Sequence, residues 1–284
     1  MPSIQNQPTS PDLSRKSGGS SVPALRRATS IMDYLSNAYG STSATDLSRA
    51  FNIPKSTLHG LLTAMEELEL IRRDTIGRVS LGPRPLAWTR GFISKSDLVD
   101  AFRQHFDTAG RTATNPLSHF TITMTVLDGN DVIYIACSQA NQPLGVTFQI
   151  GMRLPAPFTA TGKAQLASLS EAELSARFAE TFPEPLTQHS VQNLPQLRQQ
   201  LDQIITRGYS VDDGEIREGM ICLGATIRDH DGKVCAGLAL SLTRTEARAA
   251  KIEVLGKALK HAAGEISHLL GAPSEKGSLG RDRL

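Results

Sequence analysis

Lys55, Ser56, Thr57, His59 and Gly60 precede or interrupt the apolar residues Leu58, Leu61, Leu62, Met65 and Leu68, which recur at the spacing of one helix face. A helix that enters a major groove needs such short polar or basic side chains near its N-terminus, where base edges lie, and an apolar stripe to hold it on other helices. Glu66, Glu67 and Glu69 fall at the far end, away from phosphates. Residues 22–83 carry seven Lys+Arg against six Asp+Glu, so the segregation of charge, rather than its sum, points to nucleic acid. Arg72, Arg73 and Arg78 are placed to meet phosphates or an adjacent minor groove, contacts that position without reading much sequence. Ser43, at the start of the preceding helix, joins this contacting set. A protein-contact module with Lys55 and Arg78 merely solvated is the alternative reading.

A second chemistry lies at Ala160-Thr161-Gly162, where a loop gives way to a helix. Backbone N–H groups at a helix start attract anions, and small residues let a ligand come close to them. Lys163 in that helix is read as a structural or surface group. Cys222 and Asp212 with a histidine would make a thiol nucleophile, but His230 falls in a hairpin turn and nothing in the sequence brings it to Cys222. No HExxH, Gly-rich phosphate loop or paired metal ligands occur. The expectation is a binding protein, not an enzyme, with no cofactor and no metal.

The elements that must position these groups follow from periodicity. Leu25, Ala28, Met32 and Leu35 mark a first helix. Ser43 or Thr45 caps a second helix with Ala44, Leu47, Ala50 and Phe51, and Asn52 ends it. Pro54 suits the first turn of the third. A hairpin with its turn at Asp74-Thr75-Ile76-Gly77 completes a winged helix-turn-helix. Trp88, Phe92, Leu98, Val99, Phe102 and Phe106 then suggest two linker helices, broken near 91–96. Beyond residue 120 strand hairpins (120–127 with 132–137, and 221–227 with 233–241) interleave with helices at 162–179 and 191–207. Ser170 and Glu173 form a capping box, Gly208 stops the second helical stretch, 209–211 reads as a strand, and a last helix carries Ile252 to Leu269. The pattern is an α/β domain with a mainly antiparallel sheet.

The run Ile53-Pro-Lys-Ser-Thr-Leu-His-Gly-Leu-Leu, with Glu67-Leu-Glu-Leu-Ile-Arg-Arg-Asp and Gly77-Arg-Val-Ser-Leu-Gly-Pro-Arg, resembles the winged helix of the IclR family of bacterial transcription regulators. Gly151-Met-Arg-Leu-Pro-Ala-Pro-Phe-Thr-Ala-Thr-Gly-Lys-Ala, Arg207-Gly-Tyr-Ser-Val-Asp-Asp and residues 225–241 resemble segments of that family's effector domain, so the likeness spans about residues 22–270 in order. It implies a C-terminal α/β, GAF-like effector-binding domain. It also implies a polar lining of Asp212, Cys222 and Ser241 opposite Ala160 and Thr161, with Val146, Leu154 and Met220 as apolar lining. A small carboxylate or keto acid suits such a site, provided that Asp212 meets a hydroxyl, a hydrate or a water, or shares a proton with the ligand. Gly60 stands where the family commonly has a bulkier, often basic, residue, and Ala239 where some members have serine.

With 284 residues the chain is long enough for two domains. At 39% hydrophobic and 20% charged it is globular, and a net charge of +2 makes no global case for nucleic acid. No apolar run approaches a membrane span, and the three cysteines match no disulfide framework, so a cytoplasmic protein with reduced thiols is expected. The expected layout is a disordered arm (1–21), a winged helix-turn-helix domain (22–84), a helical linker (85–109), the effector domain (110–272) and a flexible tail (273–284). One winged helix makes few base contacts, so a homodimer or homotetramer on a palindromic double-stranded operator is expected. Leu35 and Tyr34 on the first helix and the 86–106 stretch are the candidate dimer surfaces. Repressor and activator both remain open.

Overall fold

The structure, a computed structural model, describes residues 22–38, 40–93, 97–109, 115–139 and 148–273. The expected arm, and the expected tail beyond 273, lie outside the described residues. The chain divides after Lys95 into two compact units, within the stretch expected to link two domains.

The first unit contains α1 (Pro23–Asn37), α2 (Ala44–Phe51), α3 (Lys55–Glu67), the hairpin β1 (Ile71–Arg73) and β2 (Val79–Leu81), and α4 (Arg84–Ile93). Its core is Ile31, Leu35, Leu47, Ile53, Leu58, Leu62, Met65, Ile71 and Val79. The buried face of α1 runs through Ile31 and Leu35, and Tyr34 packs edge-on against Phe51 at 5.7 Å. Leu35 is therefore not an outward-facing dimer contact. Leu25, expected on the buried stripe, is exposed, because it lies about 120° round the helix from Ile31. Leu68 is exposed as well, since α3 ends at Glu67 and the capping residue leaves the helical face. Sequence pattern also missed that Thr42 adds to the hairpin, exchanging both backbone hydrogen bonds with Val79 at 2.8 Å.

The second unit opens with α5 (Asp97–Arg103), which runs into a wider π-type turn, Gln104–Ala109. Strands β3 (Thr121–Asp128), β4 (Asp131–Ser138), β5 (Arg153–Pro155), β6 (Ser210–Asp213), β7 (Met220–Arg228) and β8 (Val234–Thr243) form one sheet in the order β5-β4-β3-β8-β7-β6. Every pairing in it is antiparallel. Helices α6 (Ala160–Leu166), α7 (Glu171–Arg177), α8 (Leu194–Arg207) and α9 (Ala249–Leu269) complete an α/β domain. Ser170 and Glu173 form the expected capping box on α7, and Gly208 caps α8 at φ 83°. The short edge strand β5 is an addition, paired with Val132 through Leu154. Val99, Phe102 and Phe106, offered as part of a surface linker, are buried in this unit.

Strand β7 meets both α6 and α9 and is buried at successive positions, so the sheet is covered on both faces at this strand. Close contact with α6 depends on Gly224, where a Cβ would stand 2.4 Å from the Ala160 carbonyl oxygen.

Candidate functional site

In the first unit, Ser43 caps α2 by accepting the Asp46 amide at 3.1 Å. The turn into α3 is then held locally: the Ile53 amide donates to the Ser48 carbonyl and the Ser48 hydroxyl donates to the Ile53 carbonyl, while Asn52 adopts a left-handed conformation. Leu58, Leu62 and Met65 bury one face of α3. Lys55, Ser56, Thr57, His59 and Gly60 are exposed on the remainder. A Cβ at Gly60 would meet nothing within 4 Å, so packing inside the unit does not require glycine there.

The three arginines part company. Arg72 lies exposed on β1 with its Nε donating to the Ser80 hydroxyl at 3.2 Å. Arg73 turns back onto the end of α3, its Nε 3.2 Å from a Glu66 carboxylate oxygen. Arg78 donates through Nε and Nη2 to the Ser41 carbonyl at 3.0 and 2.6 Å, tying the wing to the loop before α2. Asp74 shapes the wing turn by accepting the amides of Ile76 and Arg78 at 3.1 and 2.8 Å, and these bonds, Arg78's foremost, hold its carboxyl below the ordinary value.

The second unit holds a small, partly open cavity of about 10 Å3, room for roughly one water. Its walls gather Ala160, Thr161, Asp212, Met220, Cys222 and Ser241 from the sequence expectation. The sheet register does this: Asp212 lies opposite Cys222, and Cys222 opposite Ser241, so three strands present one row on one face. Leu154 is not one of the walls; it sits on β5 against the core. Val146 lies outside the described residues. Sequence reasoning missed Thr123, Tyr134, Phe148, Thr159 and Ile216, which complete the lining with Ala239. The alternation of β3 and β4 carries Thr123 and Tyr134, but which face closes on a cavity is not written in it. Tyr134 and Phe148 stack at 5.3 Å between ring centroids.

Thr159 caps α6 by accepting the Gly162 amide at 2.9 Å, so that donor is taken. The amides of Ala160 and Thr161 remain at the helix start. The Thr161 hydroxyl is buried and, among the described residues, meets no hydrogen-bond partner. Asp212 is 1% exposed and its Oδ1 accepts the Glu215 amide at 2.7 Å, while burial pushes its carboxyl up to about 7. Cys222 Sγ lies 3.2 Å from the Ser241 hydroxyl, and burial pushes the thiol well above its ordinary value, which opposes a thiolate nucleophile.

Lys163 is fully buried, contrary to any surface role. It reaches across from α6 to ion-pair with Glu215, whose other oxygen accepts the Val191 amide at 3.2 Å. Among the described residues no group of three His, Cys, Asp or Glu could hold a metal, and no helix is long and apolar enough to cross a membrane.

The family model described as IclR helix-turn-helix domain matches residues 24–75, and that described as bacterial transcriptional regulator IclR C-terminal matches 93–268. The crystal structure of Agobacterium tumefaciens repressor BlcR is 46% identical, covering 90% of this chain and 100% of its own, with a TM-score of 0.59. Thermotoga maritima IclR is 28% identical over 87% of this chain and 98% of its own, with a TM-score of 0.70. The transcriptional repressor AllR of Escherichia coli K12 is 26% identical over 251 residues, 87% of this chain and 90% of that protein.

Proposed function

The chain belongs to the IclR family of DNA-binding transcription regulators, and we propose that it represses transcription from a palindromic operator, bound as a dimer or tetramer, until a small carboxylate or keto acid enters the second unit. The observation that carries the DNA half is the exposed polar edge of α3 above the buried Leu58, Leu62 and Met65. Lys55, Ser56, Thr57 and His59 contact the groove, with Arg72 at the phosphates. Ser43 and Arg78 act through the shape of the surface they hold. Arg73, engaged with Glu66, contributes least. BlcR and AllR are named as repressors, which supports repression as the direction.

Self-association is supported by apolar side chains left exposed on the first unit, Leu25 on α1 and Leu86 and Trp88 on α4. The effector half is supported by the cavity, whose buried Thr161 hydroxyl lacks a partner. A ligand of several heavy atoms needs more room than one water, so binding must favour a state with the walls moved apart. A ligand that discriminates between two states in this way shifts the balance between them, and about 1–3 kcal/mol of coupling changes operator occupancy several-fold.

The test is fluorescence anisotropy of the full chain on DNA from upstream of its own gene, with and without a panel of small organic acids. Saturable binding, lost on charge reversal at Lys55 and weakened by one acid of the panel, is expected. Binding that is indifferent to Lys55 overturns the recognition edge.

A further inference from the structure

We propose that the acid taken into this cavity is a monocarboxylate bound together with one proton, which it shares with Asp212, so that its affinity falls as the pH rises. The inference rests on the effector reading above and deepens it.

The charge count around Asp212 carries it. From α6 the only charged group facing this wall is Lys163, and its ammonium is committed to Glu215 and to the Val211 carbonyl at 3.4 Å. Glu215 is in turn held by the Val191 amide and by Gln200 Nε2 at 3.4 Å; the Lys163 ammonium still draws on Asp212, but the Glu215 charge opposes that pull and burial of Asp212 outweighs it. Tyr134 from β4 and Cys222 from β7 are kept neutral by burial, and Ser241 from β8 carries no charge. Asp213, the next residue along β6, is paired outward with Arg244. Asp212 is thus the surplus acid, and among the described residues of the cavity wall none is Lys, Arg or His.

Two carboxylates cannot both ionise in such a place, because like charges at hydrogen-bond distance in a water-poor site repel too strongly. One proton between them replaces the repulsion with a charge-assisted hydrogen bond. A second carboxylate on the same ligand finds no uncommitted cation among the described wall residues, which disfavours dicarboxylates. The burial that raises Asp212 to about 7 acts in the same sense, since the proton is already on it near neutrality.

The experiment uses the full chain, its Asp212→Asn variant, whose amide stands for the protonated acid, and its Glu215→Gln variant. Without ligand, the folding constant of the wild type relative to Asp212→Asn is measured from pH 5 to 8.5. A native proton held to about pH 7 against about pH 4 when unfolded makes that ratio fall roughly tenfold per unit from pH 5 to 7, then level off. A flat ratio overturns the proton on Asp212. Glu215→Gln frees Lys163 for Asp212, so its falling range moves to lower pH, and an unmoved range overturns the charge count.

Pyruvate and succinate are then the probes, with binding read by calorimetry. Pyruvate binding that weakens about tenfold per unit above pH 7, with succinate inert, is expected. Pyruvate binding at a constant affinity, or equal binding of succinate, overturns the shared proton. Failure of both acids to bind, with the ligand-free profile as expected, counts against the effector reading and removes the shared proton with it.

Discussion

Asp212 and Ser241, far apart in the chain, stand on one wall of the cavity because each lies opposite or bonded to Cys222. Register is the whole of that relationship. A slip of one residue in either pairing would turn one of them to the other face of the sheet.

Thr161→Val tests the unpartnered hydroxyl. Removing a buried polar group that has no partner, with its shape kept, should stabilise the free protein by about 1 kcal/mol or more. The same change should weaken the response to effector. Thermal unfolding checks the first and operator release the second; a destabilised variant would show that the hydroxyl is satisfied.

Lys163→Met leaves Glu215 buried and unpaired, and should cost about 3–5 kcal/mol. The double variant Lys163→Met with Glu215→Leu should recover most of that loss. Urea unfolding of the three proteins decides it, and a double variant no better than the single would mean that the pair is not a unit.

Lys55→Glu should weaken operator binding and lower the slope of log affinity against log salt by about one unit or more. Arg73→Ala should leave that slope nearly unchanged, because its guanidinium already faces Glu66. Affinities at three salt concentrations separate the two; equal slopes for wild type and Lys55→Glu would remove α3 from the interface.

Gly60→Ala meets no neighbour and should stabilise α3 by about 1 kcal/mol, the ordinary advantage of alanine over glycine inside a helix. If α3 comes close to the duplex at this point, operator affinity falls while stability rises. A stabilised variant with unchanged affinity would show that the missing side chain plays no part in the fit.

Asp74 is held below its usual value, first by the Arg78 amide, so its bonds stabilise the wing above the unfolded value near 3.8. That contribution is lost as the pH falls through the lower folded value. The stability gap between wild type and Asp74→Asn should therefore close in acid, measured by unfolding between pH 2 and 6. A gap that persists at pH 2 contradicts the assignment.

Local order was legible in the sequence because it is enforced over a few residues. Periodicity marks α3, the capping box marks α7, Gly208 stops α8, and Asp74 with Gly77 turns the wing. Those signals cannot say that Leu35 is buried and Leu25 exposed, since that depends on which helix face another element meets. Nor can they say that Arg73 turns to Glu66 while Arg72 stays out. The row of Asp212, Cys222 and Ser241, the burial of Lys163 and the walls supplied by Thr123, Tyr134 and Phe148 exist only once distant strands pair in one register and α6 closes over them. Residue type and spacing name groups able to bind an acid, whereas desolvation, neighbouring charge and the committed partner of each group set its protonation, and these arise only from packing.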